Sequence, residues 1–507
     1  MDARKDTDLQ ALHCADCARA DNRETDLAPS QMMPLPGEAL VGFPDGTPEE
    51  RGFSRRSLLK GGAAGLASVY AATKLDWGSV WEEVAANAGT PMQKSLVLLY
   101  LNGGNDGANV TIPIDPAANM YPRYVNDARP QLFRQNTGQA DTPTAGGRVG
   151  TKVMPGTGNG LAFANVCVSQ AGGGDNGDIH GFDTLYGDGT GGPGSDLAVF
   201  SAVGYPNSTR SHFTGRDIWF RADPTGNSQT GWMGRWLDAN GSQTNPLQAV
   251  TIGSDLSKEI RTASAPVSAL QSLQGVGFDV PGVSNNDPNA EVSTLAGVPV
   301  GNAANEALLR SRGMYGLTVD VAARLDALQN NGSGVAYPNS SLSNRLQLAA
   351  TLLGAGLGTR VITISWGSFD NHGNMLNSHD PQLSVLSRAL AAFKADLTAR
   401  GIEQNVATLV FSEFGRQIYE NDSMGTDHGD AGLMMVSGSA VRGGYAGQFP
   451  GIQEESTSDA IQMVTDFRTV YQQLIAEWMG GDPGPALPGG PFAGIDRFDA
   501  APDTLFA

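Results

Sequence analysis

From residue 95 onward the chain alternates short apolar runs with polar, glycine-rich breaks. Ser95-Leu-Val-Leu-Leu-Tyr-Leu101, Arg360-Val-Ile-Thr-Ile-Ser-Trp366 and Val406-Ala-Thr-Leu-Val-Phe411 are apolar on both faces, as strands inside a parallel sheet are. Residues 197–203, 248–252 and 432–436 read as further strands. Between these runs the period changes. Leu383, Leu386, Leu390, Phe393 and Leu397 recur at three- and four-residue steps, predicting an amphipathic helix over 380–399. Residues 341–356 predict another. Residues 461–479 predict a closing helix with Val464, Phe467, Tyr471, Leu474 and Trp478 on its apolar side. Strands alternating with such helices predict an α/β fold, a mostly parallel sheet with helices on both faces.

Two stretches interrupt the rhythm. Residues 135–196 are rich in Gly, Asp, Thr and Asn, and 254–341 are largely polar apart from a helix-like stretch near 305–328. Compact domains rarely contain such long structureless segments, so both read as loop insertions over the ligand edge. The sequence has no internal repeat and no run long enough to span a membrane.

The polar residues that follow three of the strands carry the candidate chemistry. The first strand runs into Asn102-Gly-Gly-Asn-Asp106-Gly107, the second into Phe369-Asp370-Asn371-His372, with His379 a little further on. The third leads into the loop 412–430, which holds Glu413, Arg416, Asp427 and His428. The edge where parallel strands end is where α/β proteins bind ligands. Carboxylate with imidazole is the ligand chemistry of zinc, manganese or iron. A single Asp- and Gly-rich loop is ordinary turn chemistry. Three such strand ends together make a candidate metal site.

The formal net charge of −19 over 507 residues disfavours nucleic acid and anionic membrane as partners. Cys14, Cys17 and Cys167 form no disulfide framework. Cys14 and Cys17 have the spacing of half a metal site, without a second half. Cys167, in the apolar stretch 161–168, reads as a core residue.

Ser54-Arg55-Arg56-Ser57-Leu58-Leu59-Lys60 precedes a short, weakly apolar run from Gly61 to Ala72, and Ala86-Asn87-Ala88 is an A-x-A site. A charged start, a short apolar core and small residues downstream make an export signal. The paired arginines resemble the twin-arginine (Tat) motif. Residues 1–88 are therefore expected to be a polar tail with its signal, and 89–507 the folded domain. The expected location is the periplasm or another exported compartment, with the Tat export machinery as a partner.

The ordered set LNGGNDG, NSTRSHF, FDNHGN, SEFGR and GTDHG behind that leader resembles the exported family called domain of unknown function 1501, over nearly all of the chain after about residue 90. That family is similar to a branch of the alkaline phosphatase and sulfatase clan. The resemblance implies an alkaline-phosphatase-like fold and a ligand pattern. Asp106 matches the first ligand, Asp370 with His372 the second, and His428, beside Asp427, the last. Glu413 stands where a paired Asp would be, but Phe414 stands where its His would be. Losing that histidine turns the expectation from two zincs toward one divalent metal, Zn, Mn or Mg.

The same resemblance places a nucleophile in NSTRSHF, among Ser208, Thr209 and Ser211. Ser211 is preferred and reads equally as a helix N-cap. His212 is either a ligand or a partner within its own loop. Arg416 is either a bidentate clamp for an anionic ester or an ion-pair partner of Glu413 or Asp427. The expected function is that of an exported metal-dependent hydrolase or transferase acting on phosphate or sulfate esters. The alternative is a non-catalytic exported binding or assembly protein that keeps the fold.

Overall fold

Strand β1 (Ser95–Leu101) is buried at every position and sends alternate side chains to opposite faces of its sheet. Val97, Leu99 and Leu101 enter one apolar core, while Leu96, Leu98 and Tyr100 enter the other. The computed structural model describes residues 93–115, 119–134, 149–154, 160–171, 178–189, 194–243, 245–273, 325, 328, 331–447, 449–452, 460–493 and 504–506. All of them belong to the unit Arg55–Ala507. The twin-arginine segment, the A-x-A site, Cys14, Cys17 and most of 305–328 lie outside the described residues.

β1 is central in a nine-stranded sheet. The other strands are β2 (Leu197–Gly204), β3 (Ala249–Ile252), β4 (Ser268–Leu270), β5 (Val361–Trp366), β6 (Val406–Phe411), β7 (Gly432–Ser437), β8 (Gly444–Ala446) and β9 (Thr465–Asp466). The spatial order is β8-β2-β7-β6-β1-β5-β3-β4, with β9 also on β2. β1 pairs in parallel with β5 and β6, and β5-β3-β4 continue in parallel. β7 alone is reversed, antiparallel to both β6 and β2. The mostly parallel sheet expected from the apolar runs is present, and β1, β2, β5 and β6 all end at one edge.

Helices cover both faces. α1 (His212–Arg221), α2 (Trp232–Asn240) and α5 (Phe467–Gln473) pack on the Leu96 side, where Trp219 stacks on Phe467 with ring centres 4.4 Å apart and Trp232 on Tyr471 at 4.1 Å. α3 (Ser341–Gly354) and α4 (Met375–Ala399) pack on the Val97 side. α3 starts where the Ser340 hydroxyl accepts from the Ser343 N–H at 3.1 Å. The predicted apolar stripe of α4, from Leu383 to Leu397, is buried throughout.

Some boundaries differ from those the sequence suggests. α4 begins at Met375 and runs through Pro381. Proline costs a helix one main-chain bond, but the first turns are fastened elsewhere: Met375 N donates to Met424 O at 2.9 Å and Asn371 Nδ2 to Ser378 Oγ at 2.7 Å. The closing helix starts only at Phe467, with Asp466 as its cap, and continues as a π-turn over Leu474–Met479. Val464 is therefore not on its buried face; it lies 47% exposed, before the short strand β9. Nor is 135–196 structureless. Strands Val149–Met154 and Leu161–Ala164 join Thr111–Pro113 in a three-stranded sheet, and Cys167 is fully buried beside them. Among the described residues, no helix is long and apolar enough to cross a membrane.

Candidate metal centre

Four loops leave the common edge of β1, β2, β5 and β6 and meet over it. The loop after β1 is held by Gly103 and Gly104, both at positive φ (113° and 78°). A Cβ on Gly103 would come within 2.6 Å of Asp370 N, so only glycine lets this turn lie against the loop after β5. Gly215 does the same for α1. Its missing Cβ would be 3.2 Å from Glu413 O, and this close approach brings the helix start against the loop after β6.

That last loop, 412–431, is braced at both ends. Gln417 N donates to Asp427 O at 2.9 Å and Gly429 N to Gly415 O at 2.8 Å, with Arg416 and His428 bridged between. Asn421 Nδ2 ties its tip to the neighbouring loop through His372 O, at 2.9 Å, and to Asp427 Oδ1 of its own loop, at 3.0 Å.

Three histidines converge here, each fixed by its Nδ1. His212 Nδ1–H donates to Glu413 Oε1 at 2.7 Å, His372 Nδ1–H to Asp427 Oδ1 at 2.9 Å, and His428 Nδ1–H to the Arg210 carbonyl at 2.8 Å. Arg210 has φ 51°, an uncommon backbone state for a residue with a side chain. Its side chain is held by a bidentate pair with Asp430 at 2.8 and 2.9 Å. With every Nδ1 hydrogen committed, each ring turns its Nε2 inward, where it can carry a proton or, once neutral, offer a lone pair to a cation.

Those Nε2 atoms surround Asp370. His372 Nε2 is 2.9 Å and His428 Nε2 3.2 Å from Asp370 Oδ1, while His212 Nε2 is 3.5 Å from Oδ2. His212, Asp370 and His428 place ligand atoms within 4.8 Å of one another. His372 Nε2 joins them 2.9 Å from His428 Nε2. The His212 Nε2 atom is buried and has no hydrogen-bond partner. Imidazoles oriented by carboxylate or carbonyl on the far nitrogen are how proteins present metal ligands.

The electrostatics fit a cation. Burial alone would lower the His212 pKa, but the Asp370 and Glu413 carboxylates outweigh it and push it up to about 9. Asp370 and Asp427 raise His372. Burial lowers His428 despite Asp370. Burial pushes the Asp370 carboxyl up, but the His212, His372, His428 and Arg416 groups around it bring it well below the usual range. Glu413 is likewise lowered by His212 against the effect of burial, and Asp427 is lowered by His372. With neutral rings, the carboxylates of Asp370, Glu413 and Asp427 against the Arg416 guanidinium leave two negative charges, which one divalent cation balances. An orphaned buried nitrogen, converging lone pairs and this charge all suit such an ion.

The other candidate residues occupy different positions. Asp106 is buried against Arg129, at 2.9 Å and 3.1 Å, and accepts from Thr426 Oγ1 and Asn109 N, both at 3.0 Å. Its carboxylate holds the β1 loop to the base of the site rather than joining the histidines. Glu413 and Asp427 stand behind His212 and His372, not among the converging nitrogens. Arg416 is buried, and its guanidinium donates to Gly104 O and Thr426 O (both 2.8 Å), Phe369 O (3.1 Å), Asp370 Oδ1 (2.6 Å) and Gly103 O. It clasps the loops together and its acid partner is Asp370, so it is not turned toward an ester. Ser211 caps α1, its hydroxyl accepting from Thr214 N at 3.5 Å. His212, weighed in the same motif as a ligand or a partner within its own loop, reaches Asp370 from the start of α1.

Residues 309–477 match the family model described as Protein of unknown function (DUF1501). The match contains Asp370, His372, Glu413, Arg416, Asp427 and His428, while His212 lies before it. No curated protein and no solved structure matches the chain.

Proposed function

We propose that this chain is an exported, metal-dependent hydrolase acting on phosphate or sulfate esters, with an alkaline-phosphatase-like fold and its centre at His212, His372, His428 and Asp370. The observation that carries the reading is the convergence of three Nε2 atoms on one half-exposed carboxylate, each ring anchored through its Nδ1. A divalent ion held there would polarise an ester oxygen and lower the pKa of water. The nitrogen-rich ligand set favours zinc over magnesium, with manganese between them.

The protein's own groups have distinct tasks in this scheme. Glu413, Asp427 and the Arg210 carbonyl fix the three rings and keep the Nε2 atoms free of hydrogen. Arg416 orients Asp370 and draws the loops after β1, β5 and β6 together. Asp370, with its side chain 36% exposed, opens the centre to solvent, so substrate can reach it. Water is the nucleophile in this scheme, because the Ser211 hydroxyl is engaged at the end of α1.

The ligand count supports a second reading. Three histidines and one aspartate can close a tetrahedral shell, as structural zinc sites do. The protein would then be an exported binding or assembly module. Metal analysis of protein purified from the exported compartment, with hydrolysis of an aryl phosphate and an aryl sulfate, separates the two. A metal-loaded protein that cleaves neither ester sinks the hydrolase reading.

A further inference from the structure

Arg216 is one helical turn beyond His212 on α1. Among the described residues it makes no hydrogen bond or ion pair, and its guanidinium carbon sits 5.7 Å from the centre of the Phe213 ring. Residues four apart share a helix face, so Arg216 follows His212 along one side of α1. Its charge reaches Tyr100 and the buried Glu259, and the Tyr100 hydroxyl donates to Asn102 Oδ1 in the loop after β1 at 3.4 Å. The other guanidinium groups of the site are engaged: Arg416 with carbonyls and Asp370, Arg210 with Asp430, and Arg129 with Asp106. Phe213 is 36% exposed, and Val464 is the other large hydrophobic side chain exposed among the described residues. A half-buried guanidinium braced on an exposed ring, one helical turn beyond His212, is arranged to take an anion from solvent.

We infer that Arg216 receives the anionic oxygens of the substrate and that the Phe213 ring carries its apolar group. This inference rests on the hydrolase reading for the reaction but not for the binding. A guanidinium offers two parallel N–H donors to a tetrahedral oxyanion, and sulfate and phosphate esters share that geometry. One bound divalent ion neutralises the surplus of Asp370, Glu413 and Asp427, so Arg216 would supply the positive charge that an anionic head group needs. This is the role the sequence suggested for Arg416, moved to an arginine with donors to give.

The test is calorimetric titration of the metal-loaded full chain with inorganic sulfate and, separately, inorganic phosphate. Wild-type protein is expected to bind at least one of them. Arg216→Met should weaken that binding about tenfold or more, and Arg216→Lys, which keeps the charge without the fork, should recover part of it. Chelator competition should show unchanged metal affinity in both variants. The anion that loses more on Arg216→Met identifies the head group. Equal binding by Arg216→Met and wild type overturns the assignment, as does wild-type protein that binds neither anion. Loss of metal in both variants also overturns it, because Arg216 would then act on the centre itself. Wild-type protein that binds an anion through Arg216 yet cleaves no ester would sink the hydrolase reading and leave this one standing.

Discussion

The Nε2 atoms of His372 and His428 lie 2.9 Å apart, and each ring has already given its Nδ1 hydrogen to another acceptor. Two lone pairs at that distance repel unless something positive lies between or beside them. A proton and a metal ion therefore compete for the same place.

If the centre holds an ion, replacing a converging ring should remove it. His428→Ala is expected to lower metal affinity by more than the roughly 10- to 100-fold that losing a supporting partner costs. Cys167→Ala, in the core beside the three-stranded sheet, should leave metal content unchanged. Metal per chain, measured by atomic emission, checks both. Full occupancy in His428→Ala would show that the ligands lie elsewhere.

Glu413→Gln tests the support rather than the ligand. The amide oxygen can still accept from His212 Nδ1–H, but the negative charge behind the ring is gone. Metal affinity should fall about 10- to 100-fold, while the absorption spectrum of the cobalt-substituted protein keeps its shape. An unchanged affinity would mean that the His212–Glu413 contact does not tune the centre.

Asp106→Asn should act on stability instead. It leaves the Arg129 guanidinium buried without its counter-charge, which costs about 3–5 kcal/mol. The variant that remains folded should hold metal as wild type does. Chemical denaturation beside a metal titration measures the two separately, and removing the charge at Arg129 as well, with Asp106→Asn/Arg129→Met, should restore part of the loss. A selective drop in metal affinity would return Asp106 to the ligand set.

Much of this was readable from the chain, for identifiable reasons. β1 and β6 stood out because seven- and six-residue apolar runs are bounded by glycine and acid. β4 and β9 did not, since strands of three and two residues are too short to show a period. Asp370, His372 and His428 were visible as polar groups just past strand ends. What could not be read was which acid supports and which converges. Glu413 meets His212 across 201 positions, and no local spacing encodes that contact. Asp106 looked like a ligand because Arg129, which engages it, is 23 residues further on. Arg416 showed its charge in the sequence but not the carbonyls around it.

Glu259 supplies a pH dependence away from the candidate metal centre. Burial pushes its carboxyl up to about 8 from 4.5, with the Arg216 charge and a main-chain hydrogen bond opposing. Ser257 Oγ donates to it. A folded-state pKa above the unfolded value means the folded form holds the proton more tightly. Stability is therefore full below about pH 4.5 and lost as pH rises through about 8, by an amount on the order of a few kcal/mol. Glu259→Gln should flatten the decline in melting temperature between about pH 4.5 and pH 8. An equally steep decline in that variant would place its origin elsewhere.

Export is tested at Arg55 and Arg56, which lie outside the described residues. Changing both to Lys should leave the protein folded but retained in the cytoplasm, as read by cell fractionation. Normal export of the double variant would rule out a twin-arginine signal.

The single reversed strand, β7, has a consequence for how this centre can vary. A parallel partner for β6 would need a crossover of a dozen or more residues over a face of the sheet. It would draw Asp427 and His428 away from the edge. With β7 antiparallel, the chain leaves β6 and returns to a hydrogen-bonded neighbour at the same rim. The exposed turn at Asp422 and Ser423 can then be lengthened or exchanged at the small entropic cost of loop closure, while both anchored ends stay in register. Variation can accumulate at that turn without disturbing Ile418, which belongs to the apolar core on the Val97 side.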